Sequence, residues 1–318
     1  MAQKLKGHAP KNPLLSPRFG DIATFARLPH MRDLKDVDVA VLGIPFDGGT
    51  TYRPGARFGP RAIRAASCLN RNVHPVFNTH VYEKLSAIDY GDINCNPLNL
   101  KKAHAAIEEE YNALLKAGTI PIAMGGDHSI VLPILRAVSR RYKRFGVIHF
   151  DAHNDTADQA WGEKLHHGTW VRRLIEDGHL KGKDVYQIGI RQPLTSKDQM
   201  DWDRQQGLTQ ISIEEYHEKG LRSVLSKIDK TIPYYLSFDI DGVDPAFAPG
   251  TGTPVVGGLT SFEALDCVRK LRGLKFIGFD LVEVAPVYDH AEITSLLAAA
   301  LIFEFVALIA DQPNKGKA

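Results

Sequence analysis

The sequence predicts an α/β fold built on a parallel sheet that helices cover on both faces. Short β-rich apolar runs alternate with longer segments of helical period along the chain, the order that βα units produce. No Pro/Gly-rich or low-complexity linker breaks the 318 residues, a length at which one large α/β domain buries a sizeable core. The expected organisation is one domain over 1–318, with residues 1–36 as an N-terminal extension and the basic stretch 312–318 as a tail.

The strand candidates, in order, are VDVAVLGI (37–44), TIPIAMGG (119–126), RFGVIHFD (144–151), DVYQIGI (184–190), YYLSFDID (234–241) and LKFIGFDLVEV (274–284). Helical period fills 100–117, 129–142, 169–178, 261–271 and 291–309. The last contains the most apolar window, Leu296 to Ala310, which is too short for a bilayer and carries Glu304, so it reads as a buried C-terminal helix and no membrane is expected.

Charged residues make up 24% and apolar ones 44%, with a net charge of +2, which suggests neither disorder nor a nucleic-acid-binding surface. The partner is expected to be a small molecule. Cys68, Cys95 and Cys267 are far apart and show no CxxC spacing, against a disulfide framework or a structural zinc site and in keeping with a reducing cytoplasm. The N-terminus MAQKLKGHAP leads into prolines and charges rather than an apolar stretch and does not read as a secretory signal.

In open parallel sheets ligands bind beyond the carboxyl ends of the strands, so polar residues there carry functional weight. HFDAHNDT at 149–156 follows one strand candidate, SFDIDGVD at 237–244 a second, and TIPIAMGGDHSI runs off a third. Asp151, His153 and Asp155 are two apart and leave one face if extended geometry persists past Phe150; Asp239 and Asp241 repeat the spacing. Gly125 and Gly126 permit a tight turn that aims Asp127 and His128 back over the sheet edge. A lone Asp or His at a strand end is usually a cap or turn residue. Three such clusters at three strand ends read as one site.

Left unpaired, four carboxylates in a crevice repel one another and raise their own pKa values, so the pattern calls for positive charge, which two divalent cations supply. Carboxylates with two imidazoles and no thiolate suit manganese or another octahedral ion better than structural zinc, with nickel, cobalt and iron left open.

GGDHS, HFDAHNDT and SFDIDGVDP resemble the three metal-binding signatures of the ureohydrolase family, the arginases and agmatinases. From GIPFDGGTTYRPGARFGPRAIR at residue 43 to AEITSLLAAALIFE near residue 304, order and spacing are similar to the agmatinase branch. The resemblance implies a three-layer α/β/α sandwich with a mainly parallel sheet. It implies a binuclear metal-dependent hydrolase that cleaves the guanidino group of a small compound to urea plus an amine. By the same resemblance, His128, Asp151, Asp155 and Asp239 hold one metal and Asp151, His153, Asp239 and Asp241 the other, with Asp151 and Asp239 bridging. Mn2+ is the first choice of ion and Ni2+ the main alternative. Asp127 has no ligand role and reads as a turn residue or an acceptor that orients a neighbour. A homo-oligomer, trimer or hexamer, is also implied.

A guanidinium carbon is resonance-stabilised, so its hydrolysis needs a strong nucleophile at neutral pH, and the departing amine must gain a proton, a task for a histidine near the mouth. LHHGTWVRR offers His166 and His167; the resemblance selects His167, in its HGT motif, and leaves His166 without a catalytic role. It likewise selects Glu283, in FDLVEVAP, over Asp280 and Asp289 to receive the substrate guanidinium through paired N–H donors. The loop FDGGTTYRPGARFGP lacks the P-loop lysine and the GxGxxG spacing and is expected to shape the pocket rim.

Substrate identity rests on the segment TADQAWGEKLHHGTW, which is longer than in agmatinases and resembles guanidinobutyrases. Trp161 and Trp170 read either as pocket walls or as core or subunit-contact aromatics, and Arg172, Arg173 and Lys164 would favour a terminal carboxylate if they face the mouth. Agmatine is the first choice and 4-guanidinobutanoate the second. Asn154 and the tryptophans leave a third, a nickel-dependent hydrolase of guanidine, an N-alkylguanidine or a metformin-like biguanide. Two other classes remain: a noncatalytic subunit that serves an active paralogue, and a single-zinc deacetylase on a related fold. The complete ligand set argues against the first, and His128 with Asp155 against the second.

Overall fold

All six apolar runs form strands, and two further strands join them at the sheet edges. The structure, a computed structural model, describes residues 5–194 and 196–312, so most of the expected basic tail lies outside the described residues. The sheet strands are β1 (Val39–Ile44), β2 (Ala87–Asp92), β3 (Ile120–Gly125), β4 (Gly146–Phe150), β5 (Val185–Ile190), β6 (Thr209–Ser212), β7 (Tyr234–Asp239) and β8 (Phe276–Val282). Their order is β2-β1-β3-β8-β7-β4-β5-β6, and every neighbouring pair is parallel. The expectation of a mainly parallel sheet is met by a wholly parallel one.

The longer helices are α1 (Gly59–Ala66), α2 (Leu100–Lys116), α3 (Val131–Arg141), α4 (Trp170–Glu176), α5 (Lys197–Gln206), α6 (Ile213–Lys219), α7 (Ser261–Lys270) and α8 (Ile293–Asp311). Strand residues alternate between two cores: Val39 and Val41 pack with residues of α1, α6, α7 and α8, while Ala40, Leu42 and Ile44 pack with residues of α2, α3 and α4. This is the three-layer α/β/α sandwich.

β2 and β6 escape an apolar-run search because they are edge strands with polar sequences, AIDYGD and TQIS. In β2 the buried Asp89 is matched by Arg64, whose Nε and Nη2 donate to its two oxygens at 2.8 and 3.0 Å. Part of the N-terminal extension pads this edge. Ala87 N donates to His8 O, Asp89 N to Pro29 O and Met31 N to Asp89 O, and Phe25 and Leu28 are buried in the core.

α8 holds Glu304 inside an apolar helix whose most hydrophobic window is 78% buried within the protein. Burial works against its charge, but His74 Nε2 at 2.7 Å and Arg269 Nη2 at 2.6 Å hold the carboxyl below its usual pKa. Glu304→Ala leaves both partners without their anion in the core, and we expect a loss of about 3 kcal/mol, read from the urea midpoint. An unchanged midpoint would show that the pair contributes nothing.

Candidate active site

Four adjacent central strands, β3, β8, β7 and β4, deliver the candidate residues at their carboxyl ends, where the chain order across the sheet changes direction. After β3 the chain turns at Gly126, whose φ is 42° and where a Cβ would sit 2.5 Å from the carbonyl oxygens of Ile44 and Phe46, so only glycine fits. Asp127 then caps the turn. Its carboxylate accepts from Ser129 N at 2.9 Å and from Gly49 N at 2.6 Å, as expected of an orienting acceptor, and burial together with Glu283 pushes its pKa up to about 6.

His128 follows and points into the carboxylates. Its Nδ1 lies 3.2 Å from Asp151 Oδ2, 3.1 Å from Asp155 Oδ2 and 3.1 Å from Asp239 Oδ2. A second cluster shares Asp151: His153 Nδ1 is 3.1 Å from both Asp151 Oδ1 and Asp241 Oδ2. All six expected ligand residues are thus brought together. Asp239 is tied to Asp241 through the Asp241 amide, which donates to its carboxylate at 2.8 Å. Asp155 and Glu283 take left-handed backbone, with φ of 51° and 63°, strain of about 1 kcal/mol or more of the kind that collects at functional sites.

Several orienting residues went unrecognised in the sequence. His149 is fully buried two residues before Asp151 and continues the same alternation; that period-2 signal could have found it. Gln187 Nε2 meets its Nδ1 at 2.9 Å, so the ring N–H falls on Nε2 and donates to Asp151 Oδ2 at 2.8 Å. Below His128, Nε2 contacts Ser237 Oγ at 2.8 Å, and Ser237 donates to Asp280 at 2.8 Å, so Nε2–H donates to the serine and Nδ1 is turned to the carboxylates. Trp170 is fully buried against His128 and His149 and donates its Nε1–H to Asp155 Oδ2 at 2.7 Å. It holds the Asp155 carboxylate and packs in the core and does not line the cavity, the second of the two readings offered for it.

The donor set fits divalent cations. His128 Nδ1 is buried and has no hydrogen-bond partner among the described residues, although three carboxylate oxygens surround it. Neighbouring ligands of an octahedral ion with bonds of about 2.1 Å stand about 3 Å apart, the spacing seen here. The electrostatics agree. Burial disfavours charge on His128 and His153, yet the carboxylates around them hold both far above the ordinary imidazole value, while burial, Asp241 and Asp151 push Asp239 far above the carboxylate range. Such a cage is short of positive charge.

His167 and Glu283 form a pair beside the cage. His167 Nδ1 lies 2.8 Å from Glu283 Oε1, which also accepts from the His128 amide at 2.9 Å. Burial opposes charge on His167, but Glu283 outweighs it and raises the ring to about 9. Its Nε2 faces Thr51, with the hydroxyl at 2.6 Å and the amide at 3.2 Å. The imidazolium can donate to the hydroxyl and the neutral ring can accept from the amide, so both states are accommodated. Gly49 O accepts from the His167 amide, so the FDGG loop braces this histidine as well as forming rim. The competing acids have other work: Asp280 lies beneath His128, and Asp289 accepts from the amides of Thr294 and Ser295 at the start of α8.

Above the cage opens a cavity of about 330 Å3, lined by His128, His153, Asp155 and Asp239 at its floor and by Thr51, His167 and Trp161 higher up. Trp161 is 85% exposed at the mouth. His166, given no role from sequence, also lines it; burial beside the charged His167 lowers its pKa to about 4. Asn154 also borders the cavity; its side chain donates to Asp203 and accepts from Gln199, anchoring α5 to the loop after β4. Arg172, Arg173 and Lys164 do not face the cavity. Each turns onto Asp158, at 3.7, 2.8 and 3.8 Å.

Comparison with known proteins agrees with this architecture. The arginase family profile matches residues 37–307. A guanidinobutyrase of Pseudomonas aeruginosa is 43% identical over 308 residues, covering 95% of this chain and 97% of that one. A guanidinopropionase of the same organism is 44% identical over 299 residues, covering 93% and 94%. The solved proclavaminate amidino hydrolase of Streptomyces clavuligerus superposes with a TM-score of 0.88 at 41% identity, covering 93% of this chain and 99% of that one. With the sheet, the strand-end cage and these likenesses together, the chain belongs to the arginase family and is a hydrolase of amidino C–N bonds.

Proposed function

We propose that the protein binds two divalent cations and hydrolyses a small guanidino compound to urea and an amine. The observation that carries the reading is the buried His128 Nδ1, unpartnered amid three carboxylate oxygens and adjoining a second donor cluster through Asp151. His128, Asp151, Asp155 and Asp239 would hold one ion; Asp151, His153, Asp239 and Asp241 the other. Hard carboxylate oxygens with one imidazole per ion favour Mn2+ over a thiophilic metal, with Ni2+ the alternative. When bound, the pair supplies Lewis acidity and a nucleophile from water at neutral pH.

The chain's own groups do the rest. Glu283 Oε1 is taken by His167 and the His128 amide; its other oxygen lies toward Gly252 and is the one free to accept a guanidinium N–H. His167, held protonated by Glu283, gives its Nε2 proton to the departing nitrogen, while Thr51 holds the ring in place in either state. We also infer a homo-oligomer, supported by exposed apolar side chains such as Val256, Phe262 and Val287, with a trimer or hexamer expected by light scattering.

Chelation followed by reloading tests the metal reading. Elemental analysis should return about two ions per subunit, urea release should vanish on chelation and return with Mn2+ or Ni2+, and the chelated protein should melt at a lower temperature because the folded state loses its bound ions. Full urea release by the metal-free protein would falsify the binuclear reading.

A further inference from the structure

The side of the cavity away from the cage is built from neutral groups. Among the described residues no lysine or arginine lines it; Gln159, Gln192, Gln199 and His166 supply its polar atoms there, and Trp161 and Leu194 its apolar ones. His166 accepts the Gly168 amide on Nδ1 at 3.2 Å and, with its lowered pKa, offers at most a neutral N–H. The charged His167 is already matched by Glu283.

The cavity continues outward into a depression of about 700 Å3, with Ala157, Gln159 and Gln199 shared between the two. Three acids, Asp158, Asp198 and Asp201, line that depression with Arg172; Asp158 is matched by Arg172, Arg173 and Lys164 and Asp201 pairs with Arg204 at 3.2 Å, which leaves Asp198 without an ion pair among the described residues. Arg172 is itself committed: its Nε donates to Glu176 at 2.8 Å and its guanidinium stacks 4.8 Å over Trp202. A substrate whose guanidinium sits at the cage therefore extends its far end through neutral walls toward the depression that holds Asp198.

We propose that this mouth sorts guanidino compounds by the charge of the far end, admitting cationic or uncharged ends and disfavouring a terminal carboxylate. The proposal rests on the hydrolase reading for where the guanidinium sits and adds which class of compound follows it. A carboxylate passing through the cavity meets no lysine or arginine among the described residues that line it and faces Asp198, of like sign, the arrangement by which interfaces reject wrong ligands. It separates this chain from the guanidinobutyrase and guanidinopropionase it is similar to, whose names denote guanidino acids.

The test compares three compounds of nearly equal length on the metal-loaded enzyme: agmatine, N-butylguanidine and 4-guanidinobutanoate, by urea release and, independently of turnover, by calorimetric affinity. Agmatine and N-butylguanidine should each exceed 4-guanidinobutanoate by about tenfold or more in kcat/KM and in affinity at low salt. The gap between agmatine and the acid should narrow at about 0.5 M NaCl as exposed charges are screened. In the doubly substituted Asp198→Lys, Asp201→Lys protein, which leaves the cage and His167 untouched, the KM for 4-guanidinobutanoate should fall several-fold and that for agmatine should rise. Preference for 4-guanidinobutanoate by the unaltered enzyme, or affinities that ignore the charge reversal, overturns the proposal. Should no compound release urea, the hydrolase reading fails and the order of affinities still decides the charge selection; binding of none of the three counts against it.

Discussion

Asp151→Asn is expected to lower the metal content from about two ions per subunit to less than one and to cut urea release by about a thousandfold or more. Asp151 is the residue on which both clusters depend: Oδ1 faces His153 and Oδ2 faces His128 and His149. Burial opposes its charge, but His149 and the other two imidazoles hold its carboxyl far below the usual range, so it is the anion the cage keeps under all ordinary conditions. An asparagine of equal size turns one of its two oxygens into an N–H donor aimed where a cation is proposed to sit, and loss of the carboxylate the two clusters share would weaken both together. Elemental analysis and urea release on the same preparation read both effects. Two retained ions with near-normal turnover would remove Asp151 from the bridge.

His167→Ala should lower kcat by about 10²- to 10⁴-fold while metal content stays near normal, because in the proposed reaction the ring carries a proton and coordinates nothing. The wild-type rate should fall on the alkaline side as pH passes about 9, where His167 loses the proton it must donate. Glu283→Gln removes the anion that raises that pKa, so the alkaline limb should move to lower pH in whatever activity remains. The same shift bears on stability with a definite sign. The folded ring titrates above the ordinary imidazole value of 6.5, so its pair with Glu283 stabilises fully below pH 6.5 and that contribution is lost between 6.5 and about 9. If the alkaline limb stays where it is in Glu283→Gln, or if His167→Ala loses its metals, His167 is not the proton donor described.

The sequence by itself determined the α/β class, the six inner strands and the strand ends where the cage gathers, because each is written locally; the family resemblance then set Asp127 apart from the six cage residues. Continuous apolar runs mark strands buried on both faces, and acids and histidines spaced two apart at a strand's end share a direction whatever the rest of the chain does. The edge strands β2 and β6 and the polar helix α5 were silent for the converse reason. What keeps them folded is a partner far off in sequence, such as Arg64 under Asp89 or Asn154 against Asp203, and no periodicity within the segment reports it. Function beyond the cage divides the same way. That Trp170 holds Asp155 while Trp161 stands at the mouth, that Gln187 sets the His149 tautomer, and that Arg172, Arg173 and Lys164 all turn onto Asp158 and away from the cavity were decided only by tertiary structure. A residue's identity limits which charges and hydrogen bonds it can make, but the partner that uses them is chosen by how distant strands and loops are brought together.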